Sequence, residues 1–263
     1  MNKKPDDNIF AEERKHLIVD LINREVKTTV AELCEKFSVS PATIRNDLRE
    51  LEFAGLLKRT HGGAISNKKA SFELNYYQKE VENIEHKIAI GRAAAKYVQD
   101  GDIIAVDTGT TMFEFAKVIA YDKAIKVVTN DLQIALYLEK YSEISTILTG
   151  GMVRRNFHST VGPIALDSIK GLNVDRSFMA ANGVHVTRGI TTPNIEQAQV
   201  KQALVAAADE VILLVDSSKL GKASFVKFAD FSNVDLIITD SDVSAEILSD
   251  LKKNGINIEV AEM

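Results

Sequence analysis

The stretch SVSPATIRNDLRELEFAGLLKRTHGGA, residues 38–64, carries the strongest structural signal in the chain. A helix is predicted to begin at Pro41, because Ser40 is a good N-cap and proline has no N–H to leave unpaired at the first helical position. The apolar residues that recur at helical spacing form the predicted buried stripe: Ile44, Leu48 and Leu51. The stretch therefore opens with an amphipathic helix.

The other side of this helix is polar and partly basic. It carries Ala42, Thr43, Asn46, Arg49 and Glu50, with Arg45 near the edge. A helix that enters the DNA major groove places the residues of its first turns at base edges, where Arg, Asn and Thr are useful readers. The pattern predicts such a recognition helix.

Two helices are predicted before it. Residues 11–25 form an amphipathic helix whose inward residues are predicted to be Leu17, Ile18, Leu21 and Ile22. In residues 29–37, Thr29 and Glu32 make a capping box, and the inward residues are predicted to be Val30, Leu33 and Phe37. Together with the recognition helix they make a three-helix head.

A short hairpin, the wing, is predicted over residues 56–64, where Gly62–Gly63 permits a tight turn close to a phosphate. The helix pair alone fits a generic helical hairpin better, but the polar face and the basic wing together strongly favour binding to double-stranded DNA. The predicted DNA-binding residues are Ser40, Pro41, Thr43, Arg45, Asn46, Arg49, Lys58, Arg59, His61 and Gly62.

Charge agrees with a local DNA-binding surface. The chain has a net charge of −5, which argues against a protein that coats nucleic acid. Residues 38–69 nevertheless hold six Lys or Arg against three acids. The local field steers DNA, so the head is basic where phosphates are expected.

Composition places the chain among soluble, cytoplasmic proteins. It has 263 residues, 45% apolar and 26% charged, enough for two domains. No apolar run approaches the roughly 20 residues that span a bilayer, and the start MNKKPDDNIF lacks a secretory core. The single cysteine, Cys34, fits a reducing compartment and favours packing over redox sensing. We expect no membrane partner and no cofactor.

The rest of the chain alternates short apolar runs with helices, which predicts an α/β domain with a largely parallel sheet. The predicted strands are 103–106, 126–129, 144–148, 177–181, 211–216, 236–239 and 256–260. The predicted helices are 80–98, 111–120, 131–141, 195–208 and 243–254. The predicted domains are a winged helix-turn-helix over residues 1–66, a linker over 67–80 and an effector domain over 81–263.

Small polar residues, glycines and cations follow several of these strands. Because ligands of parallel sheets bind beyond the carboxyl ends of the strands, one pocket for a small phosphorylated polyol is predicted. Gly109 and the threonines around it form an anion cradle at a helix start. The predicted effector-binding residues are Asp107, Gly109, Thr110, Thr111, Thr129, Asn130, Gly150, Gly151, Arg154, Asn182, Gly183, Lys201 and Lys219.

Each of these signals alone has a simpler explanation. Residues 107–111 could cap a helix without a ligand, and Gly150–Gly151 could be only a turn. Single cations such as Arg154 and Lys219 are more often solvated than functional. His158 and His185 are predicted to be ordinary loop histidines, and no spacing predicts a metal site.

The head motif VSPATIRNDLRELEFAGLLKRTHGGA, with DTGTT, TGG, ANG and VDSSK further on, resembles the DeoR family of bacterial transcription regulators. The resemblance implies a winged helix-turn-helix, a sensor for a phosphorylated sugar or similar metabolite, homo-oligomers such as dimers or tetramers, and repression released by the effector. The family commonly has arginine at the position of Asn46. An amide there suits adenine, so operator preference does not carry over.

The sensor also resembles the ribose-5-phosphate isomerase fold. Where that enzyme has its catalytic carboxylates, this chain reads Ala180-Ala-Asn-Gly-Val184 and Lys201. Isomerisation through an enediol requires a base that removes a proton beside the carbonyl, so the pocket is expected to bind without turnover. The alternative is a sugar-phosphate isomerase with a regulatory DNA-binding head.

Overall fold

A computed structural model describes residues 10–25, 27–66, 73–74, 76–121 and 124–263. The chain divides into two compact units, residues 1–72 and 73–263. The predicted linker over residues 67–80 lies partly outside the described residues, at 67–72 and 75. Within the described residues, no helix is both long and apolar enough to cross a bilayer.

The first unit is a three-helix head with a small sheet. Its elements are α1 (Ala11–Glu25), β1 (Lys27–Thr29), α2 (Val30–Phe37), α3 (Pro41–Phe53), β2 (Leu57–Thr60) and β3 (Gly63–Ser66). The predicted caps are confirmed: Ser40 Oγ accepts from Thr43 N at 3.1 Å, and Thr29 and Glu32 form the capping box of α2. Strand β1, which pairs with β3 of the wing, was not predicted.

The inward face of α1 differs from the prediction in one position. Ile18, Leu21 and Ile22 are buried as expected, but Leu17 is 41% exposed. Its place in the interior is taken by Arg14, one turn earlier, which is 7% exposed and forms an ion pair with Asp47 of α3 (Nε to Oδ2, 2.7 Å). A charge pair between helices leaves no signal in hydrophobic periodicity.

The second unit contains most of the chain. Its helices are α4 (Tyr76–Val81), α5 (Ile84–Ala95), α6 (Thr110–Ile119), α7 (Leu132–Tyr141), α8 (Pro163–Ile169), α9 (Ile195–Ala206) and α10 (Ala245–Lys253). Its strands are β4 (Ile103–Val106), β5 (Lys126–Thr129), β6 (Ser145–Leu148), β7 (Met152–Arg154), β8 (Ser159–Val161), β9 (Val174–Met179), β10 (Gly183–His185), β11 (Gly189–Thr192), β12 (Ala208–Leu214), β13 (Val226–Ala229), β14 (Leu236–Asp240) and β15 (Ile258–Ala261).

Among the described residues, seven strands form one parallel sheet in the order β15-β14-β12-β9-β4-β5-β6. These are the seven strands that the sequence predicts, with ends shifted by a few residues. From β4 the chain adds β5 and β6 on one side, and from β9 it adds β12, β14 and β15 on the other side. The strand order therefore reverses between β4 and β9. In parallel sheets, ligands bind at such a switch point, beyond the carboxyl ends of the strands.

The sheet is covered on both sides, as buried parallel sheets require. Ile104 and Val106 of β4 pack into one apolar cluster with residues of α5, α6 and α7, while Ala105 between them packs into the other with residues of α8 and α9. This alternation follows from the period of two in a strand.

The predicted single helix over residues 80–98 is wrong. Asn83 adopts a left-handed conformation (φ 52°) that asparagine tolerates better than most residues, and it separates α4 from α5. The Lys87 ammonium of α5 then donates to the carbonyl oxygens of Lys79 and Glu82 at the end of α4. The last carbonyls of a helix have no N–H group further along the helix to accept from, and this lysine donates to two carbonyls there.

We expect Asp47→Ala to destabilise the head by about 3–5 kcal/mol, because it leaves the Arg14 guanidinium buried without its carboxylate. The measurement is native-state hydrogen exchange of the full chain, read in peptides from residues 14–60. Glu35→Ala, an exposed change on α2 of the same head, is the control. Equal protection in the two variants would contradict the structural role of the pair.

Candidate DNA-reading surface and effector cleft

The outward face of α3 is arranged as predicted. Ile44, Leu48 and Leu51 are buried, whereas Arg45, Asn46 and Arg49 are exposed. At the N-cap of α3, Ser40 Oγ lies 2.9 Å from Thr43 Oγ1, and the neighbouring Pro41 is exposed. The start of α3 therefore presents hydroxyl, amide and guanidinium groups outward.

Asn46 is held by its neighbours on α3. Its Nδ2 donates to Glu50 Oε1 at 2.8 Å, and its Oδ1 accepts from Arg49 Nη1 at 3.3 Å. Glu50 is in turn paired with Lys15 of α1, whose hydrogen bond lowers the pKa of the carboxyl. The amide orientation is thus set by a chain of contacts from α1 to α3, which sequence reasoning did not identify.

The wing packs against α3 through a second ion pair. Arg59 donates from its backbone N to Glu52 Oε1 (2.9 Å) and from Nε to Oε2 (2.6 Å), and the side-chain bond lowers the pKa of Glu52. Lys58 is exposed on the same strand. A groove between α3 and the wing is lined by five of the predicted DNA-binding residues: Pro41, Arg45, Arg59, His61 and Gly62.

The double glycine of the wing has a packing role. A Cβ on Gly63 would lie 2.0 Å from the Thr28 carbonyl oxygen, because β1 and β3 approach closely there. A Cβ on Gly62 would meet nothing within 4 Å, and its carbonyl accepts from Val30 N at 2.8 Å. The first glycine thus lies on open surface, while the second is required by the sheet.

In the second unit, the loop after β4 is fixed by Asp131. Its Oδ2 accepts from Thr108 Oγ1 (2.7 Å) and Gly109 N (3.2 Å), while its Oδ1 accepts from Gln133 N and Ile134 N at the start of α7. Burial raises the pKa of this carboxyl, and the hydrogen bonds oppose the rise. Asp131 thereby joins two strand-end loops and aligns the N-terminus of α6.

Asp107 and Lys201 form a buried ion pair at the switch point between β4 and β9. Lys201 is 1% exposed, and its Nζ donates to Asp107 Oδ2 and, at 2.9 Å, to the Ala180 carbonyl. Asp107 Oδ2 also accepts from Ala180 N at 3.0 Å. Asp107 Oδ1 is buried without a hydrogen-bond partner among the described groups.

A cleft that is partly open to solvent lies above this pair. Six of the predicted effector-binding residues line it: Gly109, Thr110, Thr111, Asn182, Lys201 and Lys219. Other polar lining residues were not predicted to bind: Glu73, Tyr76, Lys79, Glu82, Asn83, Lys87, Thr108, Gln197 and Asp216. Local motifs give no reason to group α4 and α5 with the strand ends, although Asp216 stands in the same VDSSK segment as Lys219.

One wall of the cleft is a network around Glu73. Its carboxylate accepts from Lys79 Nζ (2.7 Å), Arg154 Nη2 (3.0 Å) and Asn182 Nδ2 (3.4 Å). Arg154 also donates to Gln197 Oε1. Burial raises the pKa of Glu73, but the charges of Lys79 and Arg154 outweigh it and leave the pKa lowered. Arg154 therefore does not line the cleft itself but holds two lining residues, Glu73 and Gln197, by hydrogen bonds.

Besides Lys201, three lysines line the cleft: Lys79, Lys87 and Lys219. Lys219 Nζ lies 3.7 Å from Asp216 Oδ2, and Lys87 contacts backbone carbonyls. Burial lowers the pKa of Lys87 to about 8 and also lowers that of Lys79. At neutral pH the cleft holds lysines in a partly dehydrated setting, where an anion would be attracted more strongly than in water.

The remaining predicted effector residues do not line the cleft. Thr129 and Asn130 are fully buried, where Thr129 Oγ1 accepts from Asp131 N and Asn130 Nδ2 donates to the Thr160 carbonyl. A Cβ on Gly151 would lie 2.6 Å from the Val161 carbonyl oxygen, so it serves the β7–β8 hairpin. Gly150 packs near Ile164, and Gly183 packs against the Lys222 carbonyl.

Comparison with known proteins identifies the family. The model of the DeoR C terminal sensor domain matches residues 82–241, and that of the DeoR-like helix-turn-helix domain matches residues 14–70. The chain belongs to the DeoR family of transcriptional regulators. This confirms the predicted DNA-binding head, the sensor domain and the role in transcription regulation.

Relatives that match most of this chain are also named as transcriptional regulators. The HTH-type transcriptional regulator GlpR of Haloferax volcanii is 39% identical, covering 94% of this chain and 96% of that protein. The HTH-type transcriptional regulator GolR of Listeria innocua is 33% identical, covering 97% and 100%. The transcriptional repressor AccR of Agrobacterium fabrum is 35% identical, covering 88% and 90%.

One solved structure that resembles part of this DeoR-family chain is ribose 5-phosphate isomerase A from Methanocaldococcus jannaschii. It is 21% identical, with a TM-score of 0.40, and the match covers 53% of this chain and 55% of that chain.

A double-mutant cycle tests the buried pair of the sensor. Asp107→Asn or Lys201→Met alone should each cost about 3–5 kcal/mol of unfolding free energy, because each leaves the other charge buried and unpaired. The double variant should cost less than the sum. Urea unfolding measures all four proteins, and strict additivity would mean that the two groups do not interact.

Proposed function

We propose that this DeoR-family regulator senses a phosphorylated sugar or polyol in the cleft at the β4–β9 switch point and represses transcription until that effector binds. The observation that carries the proposal is the N-terminus of α6, which opens into a cleft lined by lysines. The first amides of a helix have no acceptors within it, and its dipole favours an anion there.

The phosphate is assigned to the backbone between Gly109 and Thr111, through the amides of Thr110 and Thr111, because the Gly109 amide already donates to Asp131 Oδ2. The Lys219 ammonium is the proposed charge partner. Gly109 supports this assignment because it has no side chain to cover the amides that follow it, and its φ of 139° is one that other residues rarely adopt. Lys87 also lines the cleft, and burial lowers the pKa of its ammonium to about 8, so this positive charge is lost as pH rises through that value. Phosphate recognition would therefore weaken in alkaline solution.

The hydroxyl groups are assigned to the other polar groups of the cleft. Asn182 and Gln197 line the cleft and offer amides, and Asp107 Oδ1, buried beneath the lining, is an acceptor without a hydrogen-bond partner among the described groups. A buried acceptor without a donor costs about 1–3 kcal/mol, which a ligand hydroxyl would recover. A phosphorylated sugar combines one anionic end with several hydroxyls and so fits both halves of the lining.

We further propose that the cleft binds without turnover. Lys201 stands where the isomerase resemblance expects a carboxylate, and it neutralises Asp107 instead of leaving a second acid. An enediol mechanism needs an acceptor for the carbon-bound proton. Incubation of the full chain with pentose and hexose phosphates tests this: we expect no isomerisation, and measurable turnover would favour the enzyme alternative.

On the DNA side, we propose that α3 reads the major groove and that the wing contacts the backbone. The chain is proposed to act as a homo-oligomer whose paired heads bind half-sites about 34–36 Å apart along the duplex. That the chain represses transcription is proposed because its relative AccR is named a transcriptional repressor. Effector binding would alter operator affinity through a coupling free energy of about 1–3 kcal/mol.

Removing a reading side chain should weaken specific binding alone. We expect Arg45→Ala and Asn46→Ala each to lose about 1–3 kcal/mol of operator affinity and to leave effector binding intact, because bidentate base contacts have this size. Lys58→Ala should instead weaken binding to all sequences and lower the salt slope by about one. Quantitative footprinting at several salt concentrations provides the measurement.

Arg188→Ala is the matched control, since this arginine is exposed in the second unit. If Arg45→Ala and Asn46→Ala footprint like that control, α3 is not the reading helix.

Removing the phosphate partners should abolish sensing. A thermal-shift screen of phosphorylated sugars first identifies the effector, since ligand at about 100 times its Kd adds about 2.7 kcal/mol of stability. We expect Lys219→Ala combined with Thr110→Ala to lose this shift and the release from operator DNA, while DNA binding itself stays. Lys253→Ala, an exposed lysine on α10, is the control. An undiminished response in the double variant would place the effector elsewhere.

A further inference from the structure

A second cluster of ligand-type side chains lies at the carboxyl end of β14. His86 of α5 faces Asp240, the last residue of β14, and Asp242 beyond it. His86 Nδ1 is 3.1 Å from Asp240 Oδ1, and Nε2 is 3.6 Å from Asp242 Oδ2. One donor atom from each of the three residues lies within 4.8 Å of the others. No spacing in the sequence indicates this cluster, because His86 is far from the two acids along the chain.

The cluster has unused capacity to bind. His86 Nδ1 is buried and lacks a hydrogen bond among the described groups, although Asp240 Oδ1 is close to it. Asp240 is itself fully buried, and its two oxygens accept from Ser217 N (2.7 Å) and Asp242 N (3.0 Å). An ionised carboxylate has about four acceptor positions, so lone pairs remain.

We propose that His86, Asp240 and Asp242 bind a divalent transition-metal ion. One imidazole nitrogen with two carboxylate oxygens suits Mn²⁺ or Zn²⁺, whereas Mg²⁺ prefers oxygen ligands alone. Ligand atoms about 2.0–2.2 Å from one ion lie at most about 4.4 Å apart, so the three groups need only a small closure. Asp242 can supply it, because its side chain is 69% exposed.

The site would connect two segments that line the effector cleft. His86 directly precedes Lys87, and Asp240 holds the amide of Ser217, the first residue of the turn that ends at Lys219. A bound ion would therefore fix α5 against this turn. The consequence for effector binding rests on the proposed function, but metal binding itself does not.

The test uses Mn²⁺ alone, because this ion disfavours the Cys34 thiol and its paramagnetic resonance signal reports the unbound fraction. The full chain, freed of metal with a chelator, is titrated with Mn²⁺ without effector or DNA. We expect one saturable site per chain, displaced by Zn²⁺. Asp242→Asn and His86→Gln should each weaken binding tenfold or more.

Matched controls are Asp250→Asn, an exposed acid on α10, and His185→Gln, a histidine of β10. Both should bind Mn²⁺ like the parent. Thermal unfolding without metal verifies that Asp242→Asn is folded, as its exposure leads us to expect. Absence of saturable Mn²⁺ and Zn²⁺ binding in the parent, or equal affinity in parent and both ligand variants, would overturn the site. Either result would mean that His86 only bridges two carboxylates, and the effector screen would be unaffected.

Discussion

The reversal of strand order between β4 and β9 is the constraint on which the sensor depends. Parallel strands end at one edge, and only where the order reverses do two neighbouring loops diverge to leave a crevice. Asp107 follows β4 and Ala180 follows β9, and their hydrogen bond spans this place. The cleft is therefore a product of topology, while its chemistry comes from the loops.

At the same position, the carboxylate of Asp107 is held in an ion pair. Buried carboxylates at a switch point need a partner or become costly, and here Lys201 supplies it. The pair fixes the Ala180 loop through both its carbonyl and its N–H. Because Asp107 is paired in this way, it is not a free carboxylate base, which is compatible with a sensor whose output is a change of affinity.

Helices and strands that depend on local patterns of residues can be predicted from the sequence. Contacts between residues far apart in the chain cannot. Strands such as β4 and β5 follow from apolar runs, and the start of α3 follows from Ser40 and Pro41. By contrast, Glu73 and Lys79 enter the cleft from a segment predicted as a linker, because helix packing carried them there. Arg14–Asp47 and His86–Asp240 are likewise invisible, since each partner reads as an ordinary polar residue on its own helix or strand.

The contacts of Asn46 place a condition on how the head reads DNA. Its amide donates to Glu50 and accepts from Arg49, which are the two functions that an adenine edge would require. A base can use the amide only by replacing these neighbours. Arg49 is then released to a phosphate or a guanine, while Glu50 keeps Lys15 as its partner. Recognition of a base by Asn46 and contact of Arg49 with DNA should therefore be coupled. Substitution of either residue should then change the base preference of both.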